Sequence, residues 1–269
     1  MPRRVVGSLA LLSLMATACF VPEKAAPTVG FGGTFATKFV HRGMTLVDNP
    51  VIQPRLSVEL PATGVDKIGV DVEGNIDLRN DTGGAWFPDG HAGRFTQLET
   101  VARVTKQLGD VSLTTGIQSY VVPNGLEFPN SERGGTNEVF LLASATVLDA
   151  NPYVALHYDF DEVRGGYYRI GLSEGIPLGG AWTLDLDGSL GYVSEAQASW
   201  MYALGESGWA DLRGEAIVKW QYDARTQLRA GVHASMIVDN TIDAWFSQGL
   251  ANPVDDDPIW FTLAVLWVF

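Results

Sequence analysis

One pair of residues in the sequence has the types and spacing of a hydrolytic nucleophile and its base. His233 and Ser235 are two positions apart, and residues at that spacing share a face when the segment is a β-strand. A working serine–histidine pair also needs a third group that orients the imidazole and donors that stabilise an oxyanion. The sequence assigns neither, and a histidine beside a small polar residue is common. We therefore predict that the protein is not an enzyme.

Most other side chains that could do chemistry are charged residues that recur at alternate positions. They comprise eleven acids and six bases on one strand face, joined by His233. If that face lines an open passage, the excess of carboxylates favours cations over anions. If the interior is narrow, the same charges pair across it and fill it. The predicted pore-lining residues are Arg55, Glu59, Asp71, Glu73, Asp77, Glu99, Arg103, Glu138, Asp159, Arg169, Asp185, Asp187, Asp211, Arg213, Glu215, Lys219, Arg229 and His233.

Alternation of apolar and polar residues is the dominant pattern from Gly33 onward. Between Trp209 and Tyr222, apolar or small residues occupy the even positions and polar residues the odd ones, interrupted only by Ile217. A helix would scatter these residues around its circumference, whereas a strand separates them onto two faces. About twelve segments show the pattern. Their predicted spans are 33–42, 51–60, 67–78, 94–108, 111–121, 136–147, 152–160, 166–174, 181–192, 208–222, 226–238 and 258–269.

The lengths of the strands and connections distinguish a membrane barrel from a soluble sheet. Several strands have ten or more residues, which is long for a soluble sheet but suits a tilted membrane strand of about 9–11 residues. Outer-membrane barrels have short periplasmic turns and longer external loops. The longer connections are 79–93, 122–135, 193–207 and 239–257, and the shorter ones are 61–66, 109–110, 148–151, 175–180 and 223–225, with 161–165 the one exception. We predict an all-β fold, a closed antiparallel transmembrane β-barrel of about twelve strands, rather than a soluble sandwich.

The composition excludes several functional classes. A net charge of −13 and a pI near 4.6 argue against a nucleic-acid partner, because phosphates require a basic face. The single cysteine excludes an intramolecular disulfide and CxxC-type metal clusters. The run Asp255–Asp257 lacks the alternating ligand spacing of a calcium loop. We therefore expect no metal and no cofactor.

The N-terminus has the features of an export signal. Two arginines precede an apolar stretch that ends in Ala16-Thr17-Ala18, which predicts a signal peptide over residues 1–18. Cys19 follows directly, at the position where bacterial lipoproteins are acylated, so lipidation of Cys19 and simple cleavage after Ala18 both stay open. We expect residues 19–32 to form a linker and residues 33–269 to form the barrel domain. The expected location is the outer membrane of a Gram-negative bacterium.

The last segment, residues 258–269, predicts how the barrel is assembled. Its alternate positions are apolar and it ends on Phe269, which resembles the signal read by the outer-membrane barrel assembly machinery. The opposite face of this segment is also apolar, which a water-filled interior does not explain. The expected partners are the assembly machinery, outer-membrane lipid and small solutes.

Several long connections carry large apolar residues that could serve in either of two ways. They could form contact sites for a partner, because exposed apolar patches often mark interfaces, or they could fold inward and constrict the mouth of the barrel. We favour constriction. The residues are Trp86, Phe87, Trp200, Met201, Tyr202, Trp245 and Phe246.

Two groups of short motifs carry a family resemblance. The first is Phe39-Val40-His41-Arg42-Gly43-Met44, followed by Asp48-Asn49-Pro50 and Gln53-Pro54; the second is Tyr158-Asp159-Phe160-Asp161-Glu162, then Gly165-Gly166-Tyr167-Tyr168 and Gly171-Leu172. The first resembles the opening of the TorF-type porins, in which an aromatic strand ends in Arg-Gly, and the second is similar to related bacterial sequences. The resemblance implies an outer-membrane barrel and brings no catalytic residues. The candidate lipid-anchor cysteine departs from it.

These observations predict a narrow porin-like channel for passive diffusion of small solutes, with a slight preference for cations. One alternative is a lipid-anchored barrel with a structural or partner-binding role. A second is an outer-membrane lipid hydrolase, because the spacing of His233 and Ser235 is similar to the His-x-Ser of outer-membrane phospholipases. Met236 and Ile237 do not continue that pattern.

Overall fold

A computed structural model describes residues 26–81, 90–123, 134–202, 205–239 and 257–269. Twelve long strands close into one barrel in which each strand is antiparallel to both neighbours, which confirms the predicted fold class. The barrel strands are β1 (Thr28–Ala36), β4 (Val51–Ala62), β5 (Val65–Asp77), β6 (Phe95–Leu108), β7 (Val111–Val121), β8 (Gly135–Ala145), β9 (Asn151–Asp159), β10 (Gly166–Gly179), β11 (Trp182–Val193), β12 (Gly208–Gln221), β13 (Thr226–Ile237) and β14 (Ile259–Val268).

The first strand differs from the prediction at both ends. β1 covers residues 28–36, so the predicted strand 33–42 and the linker boundary at residue 32 are wrong. The glycine-rich start of β1 shows no alternation that a sequence pattern could detect. One of these glycines has a packing role, because a Cβ at Gly32 would lie 2.6 Å from the carbonyl oxygen of Val265.

Closure of the barrel depends on the pairing of β1 with β14. The two strands run antiparallel from Gly30 opposite Val268 to Ala36 opposite Thr262. The Phe269 backbone N–H donates to the Val29 carbonyl at 2.8 Å and so extends the ladder beyond the strand end. Every barrel strand therefore has two neighbours, which is what a sheet in hydrocarbon requires.

The two faces of the barrel have opposite chemistry. Leu263 on β14 is 61% exposed, and many other large apolar residues on alternate positions also face outward. Asp211 on β12 is fully buried at 0% exposure. Because the barrel wall is a single sheet, a wall residue buried to this degree faces the interior. An apolar exterior around an ionic interior is stable in lipid, not in water.

A second, two-stranded sheet lies within the barrel. Strands β2 (Phe39–His41) and β3 (Met44–Val47) pair with each other and form what we call the inner hairpin, residues 39–47. All four residues of β3 are buried. The motif that the sequence predicts to end a transmembrane strand therefore folds back inside the barrel, where Phe39, Met44, Leu46 and Val47 join a buried apolar core.

A short helix packs with the inner hairpin at the end of the barrel that carries the long connections. Helix α1 (Glu195–Tyr202) follows Ser194, whose hydroxyl accepts hydrogen bonds from the backbone N–H groups of Gln197 and Gly166 and so caps its first turn.

None of the described helical residues forms a segment long and apolar enough to cross a bilayer. The apolar core shared by hairpin, helix and wall comprises Ala36, Phe39, Met44, Leu46, Val47, Val51, Tyr167, Val193, Ala198, Met201, Tyr202, Ala210 and Ile237.

Substitution of Gly32 tests the closure. In Gly32→Ala the new methyl group meets a backbone oxygen of β14, which we expect to destabilise the barrel by about 1–3 kcal/mol. The measurement is the temperature at which the purified protein changes mobility on a detergent gel. Gly33→Ala is the matched control, because a Cβ there has nothing within 4 Å. Equal transition temperatures for the two variants would contradict this role of Gly32.

Candidate functional site

The candidate site begins at the tip of the inner hairpin. Arg42 and Gly43 occupy the tip with φ angles of 49° and 83°, a left-handed backbone that glycine adopts readily and arginine rarely. A Cβ at Gly43 would lie 2.6 Å from the Cβ of Asp211 on β12. The tip is therefore seated directly against the barrel wall, and only glycine fits at its second position.

Arg42 reaches from this tip to a carboxylate on the wall. Its two terminal nitrogens donate to the two oxygens of Glu138 on β8 at 2.9 and 2.6 Å. This is the bidentate fork that a planar guanidinium forms with a carboxylate and that a lysine cannot reproduce. The pair joins residues 96 positions apart and is buried on both sides.

Aromatic residues complete the surroundings of Arg42. The guanidinium carbon lies 4.5 Å from the centre of the Tyr167 ring, which is within the range of a cation–π interaction. The Tyr202 hydroxyl donates to the Arg42 carbonyl at 3.2 Å. We call Glu138, His157, Tyr167 and Tyr202 the Arg42 cage.

Four contacts with the barrel wall fix the orientation of two cage members. The Tyr167 hydroxyl donates to Asp211 at 2.8 Å and accepts from the Nη2 of Arg169 at 2.5 Å. The Nδ1 of His157 lies 3.5 Å from Glu138, and its ring stacks on Phe140 with centroids 5.7 Å apart. Tyr167 and His157 are thus held by wall residues and not by the hairpin.

The hairpin brings a second imidazole to the site. The ring of His41 meets the edge of Tyr120 on β7 at a centroid distance of 5.6 Å. Burial and the neighbouring Arg42 charge lower the pKa of His41 to about 3. His41 is therefore neutral at physiological pH, and Arg42 is the cation that the hairpin tip carries into the barrel.

The sequence analysis found Glu138, Arg169 and Asp211 but missed their partners Arg42 and Tyr167. Arg42 was assigned to the end of a transmembrane strand. Tyr167 is two positions before Arg169 on β10, so the two side chains lie on the same face of the strand. This spacing could have placed Tyr167 on the inner face. No alternation could have identified Arg42, because the inner hairpin is not part of the barrel wall.

Four of the predicted pore-lining residues of β4 to β6, namely Arg55, Glu59, Asp71 and Arg103, form one network of ion pairs. The guanidinium of Arg103 pairs with Glu59 at 2.7 Å and also contacts Asp71. Arg55 pairs with Asp71 at 2.9 Å. Glu73 lies opposite Glu99 on the neighbouring strand, and Glu99 accepts a hydrogen bond from Gln118 at 2.7 Å.

The predicted residues of β10 to β13 form several separate pairs. Lys219 pairs with Asp185, and Arg213 pairs with Glu215. Arg169 lies 3.6 Å from Asp211. The Nε of Arg229, on the same wall, donates to Gln227 at 2.6 Å. Most of the predicted bases are therefore held by predicted acids.

Three of the predicted acids are held by uncharged donors. The carboxylate of Asp77 accepts from Asn75 and Thr96, each at 3.2 Å. Asp159 accepts from Thr136 at 2.5 Å and from backbone N–H groups of the 160–165 connection. Asp187 accepts from the Tyr153 hydroxyl at 3.1 Å. These bonds hold the three carboxylates in place through neutral donors.

A cavity of about 410 Å³ lies beside Asp187, towards the end of the barrel that carries the short turns. It has an acidic lining, with Lys219 paired to Asp185 at its side. The lining residues are Asn151, Ser173, Glu174, Gly175, Asp185, Leu186, Asp187, Glu215 and Ile217. The interior thus combines an acidic cavity at one end with the seated hairpin at the other.

The candidate nucleophile and its candidate base contact different residues. The Nε2 of His233 lies 2.8 Å from the Thr262 hydroxyl, and its ring stacks on Trp260. The Ser235 hydroxyl donates to the Leu212 carbonyl at 3.4 Å. Glu215 lies 3.7 Å from the Nδ1 of His233. The hydrogen bonds described for these two residues therefore lead to other groups and not to each other.

The loop residues that the structure describes fold inward, as the predicted constriction requires. Met201 and Tyr202 are buried in the shared core, and Trp200 packs against it. Among the described residues, no group of three or more histidine, cysteine or acidic side chains could hold a metal ion. The signal peptide over 1–18, Cys19, Trp86, Phe87, Trp245, Phe246, Asp255 and Asp256 lie outside the described residues.

No protein-family profile matches the sequence, and a search of curated proteins found no match. Among solved structures, an outer membrane channel from Pseudomonas putida F1 is similar over 90% of this chain and 94% of its own, at 10% identity and a TM-score of 0.50. The NanC porin is similar over 90% of this chain and 99% of its own, at 12% identity and a TM-score of 0.49. The KdgM porin is similar over 90% of this chain and 99% of its own, at 10% identity and a TM-score of 0.48. The fold of this chain is that of a porin-like outer-membrane channel, and its apolar exterior agrees with the outer-membrane location.

Proposed function

We propose that the protein is a narrow channel through which small solutes diffuse passively, with a slight preference for cations. The observation that carries this proposal is the acidic cavity, where Asp187 accepts a hydrogen bond from Tyr153 beside an ion-paired wall. Carboxylates that line a passage raise the local concentration of cations and lower that of anions. The predicted pore-lining residues contribute more acids than bases, and Arg42 from the hairpin reduces that excess by one.

The inner hairpin and helix α1 are the elements that make the proposed passage narrow. Both contribute to the buried core at the end with the long connections, so a solute must pass beside them. Twelve strands lie between the small barrels that side chains fill and the large ones that leave an open aqueous channel. Exclusion of large solutes follows from this occupied interior.

Three further assignments belong to this proposal. The two motif groups support membership of the TorF-type porins. The alternate apolar residues that end at Phe269 support recognition by the barrel assembly machinery, and the exposed apolar exterior supports outer-membrane lipid as its surroundings.

One observation favours a second candidate, a barrel with a structural or partner-binding role and no passage. The hairpin and helix are packed as a core and not as a loose loop, which would suit a permanently closed barrel. This candidate predicts that the folded protein conducts no ions.

Planar-bilayer recording distinguishes the two candidates. We expect stepwise conductance with a higher permeability for potassium than for chloride. In Asp187→Asn the loss of one lumen charge should reduce the potassium-to-chloride permeability ratio about twofold. Asp110→Asn, in an exposed short turn, is the matched control and should leave the ratio unchanged. Absence of conductance from protein that is shown to be folded would reject the channel proposal.

Gly43→Ala tests whether the seated hairpin limits the passage. The added methyl group would contact Asp211, and alanine adopts the left-handed backbone of this position poorly. Together the two effects should destabilise the seated hairpin by about 1–3 kcal/mol. We expect larger or noisier single-channel currents, because the hairpin loosens.

The control for that experiment is Gly64→Ala in the short turn between β4 and β5. Gly64 has a similar φ of 87° and nothing within 4 Å of an added Cβ, so it reproduces the backbone strain without the contact at the wall. Currents of Gly43→Ala that match those of Gly64→Ala would show that the hairpin does not limit conduction.

A further inference from the structure

We propose that the Arg42 cage is a binding site for small organic cations that carry a guanidinium group, and that Arg42 fills this site as an internal ligand. The inference rests on the proposed channel function only for the route by which such a solute arrives. Binding itself depends on the cage, whose members belong to the barrel wall and to helix α1.

The first argument is the shape of the recognition. Glu138 offers both carboxylate oxygens to two N–H donors of one planar group, and the Tyr167 ring lies 4.5 Å from the guanidinium carbon. A carboxylate that accepts two parallel hydrogen bonds, together with an aromatic face, selects a delocalised planar cation over a compact ammonium. Arg42 shows which chemistry fits, because its own guanidinium makes both contacts.

The second argument is that the cage is organised without its occupant. Tyr167 is fixed by Asp211 and Arg169, while His157 is fixed by its stacking on Phe140. Arg169 lies 5.2 Å from the Tyr167 ring, and its charge is countered by Asp211 at 3.6 Å. Removal of the Arg42 side chain therefore leaves the Tyr167 and His157 sides of the cage held by wall residues.

The third argument concerns charge. Glu138 is 2% exposed, and a buried carboxylate that loses its partner is strongly destabilised. When Arg42 is truncated, Arg169 stays paired with Asp211. His157, 3.5 Å from Glu138, carries a charge only if it is protonated. A soluble guanidinium would replace the lost partner atom for atom.

The fourth argument is that the occupant is tethered at a hairpin turn. His41 pairs with Met44, so Arg42 and Gly43 form a two-residue turn, and their positive φ angles of 49° and 83° are those that such a turn requires. A free guanidinium compound makes the same contacts without this tether, so it can compete with Arg42 for the cage.

The test is chemical rescue of Arg42→Ala by ethylguanidinium, which resembles the missing end of the side chain. The heat-induced change in gel mobility reports stability of the whole barrel. We expect ethylguanidinium to raise the transition temperature of Arg42→Ala by on the order of 2–5 °C at saturation. Ethylammonium, which lacks the fork, should give a smaller rise.

Two controls define the site. The double variant Arg42→Ala with Glu138→Gln should lose the response, because the carboxylate is gone. Arg55→Ala removes the partner of Asp71 in a more exposed ion pair and should show no selective response. Equal effects of ethylguanidinium and ethylammonium on Arg42→Ala, or a response that persists in the double variant, would overturn the proposal.

The wild-type protein and a milder variant keep the proposal testable if Arg42→Ala does not fold. Arg42→Lys retains the charge without the fork and should still be stabilised by ethylguanidinium. In wild-type channels, ethylguanidinium should increase the larger-conductance events, and Glu138→Gln should not show this ligand dependence. Failure of both expectations would overturn the site.

The two proposals fail in different ways. Selective stabilisation of a folded Arg42→Ala barrel that carries no current would reject the channel and support the binding site. Cation-selective current without any selective effect of ethylguanidinium would reject the binding site and support the channel.

Discussion

Pairing of every strand with two neighbours is the constraint on which the structure depends. Hydrocarbon offers no hydrogen bonds to an open sheet edge, so the wall is stable only as a closed ring. The meeting of β1 with β14 completes that ring, and small residues near the start of β1 let the backbones approach. Once the ring is closed, apolar side chains face lipid and ionic ones face inward.

That inversion leaves the interior to be filled by groups that suit it. Much of the wall provides ion pairs and hydrogen-bonded acids, which match each other in an enclosed polar space. The end with the long connections is different, because the inner hairpin and α1 build an apolar core there. The barrel thus has a polar cavity towards one end and an apolar core at the other, and the Arg42–Glu138 pair lies at the tip of the inner hairpin.

This pair links the packing of the hairpin to the electrostatics of the interior. A buried ion pair contributes little net stability compared with a well-packed apolar contact, but it specifies a position closely. Here it fixes the hairpin tip against β8 while Gly43 contacts β12. The position of the hairpin tip therefore depends on contacts with two separate strands of the wall.

The sequence by itself determined the twelve wall strands, the alternation of long and short connections, and the side of the wall on which Glu138, Asp187 and Asp211 lie. It could do so because a strand in a barrel wall repeats every two residues, so local order fixes which face a side chain occupies. Only the tertiary structure decided that residues 39–47 fold inside, that β1 begins at Thr28, and that Arg42 meets Glu138. Those features depend on contacts between distant segments, which leave no local period in the chain.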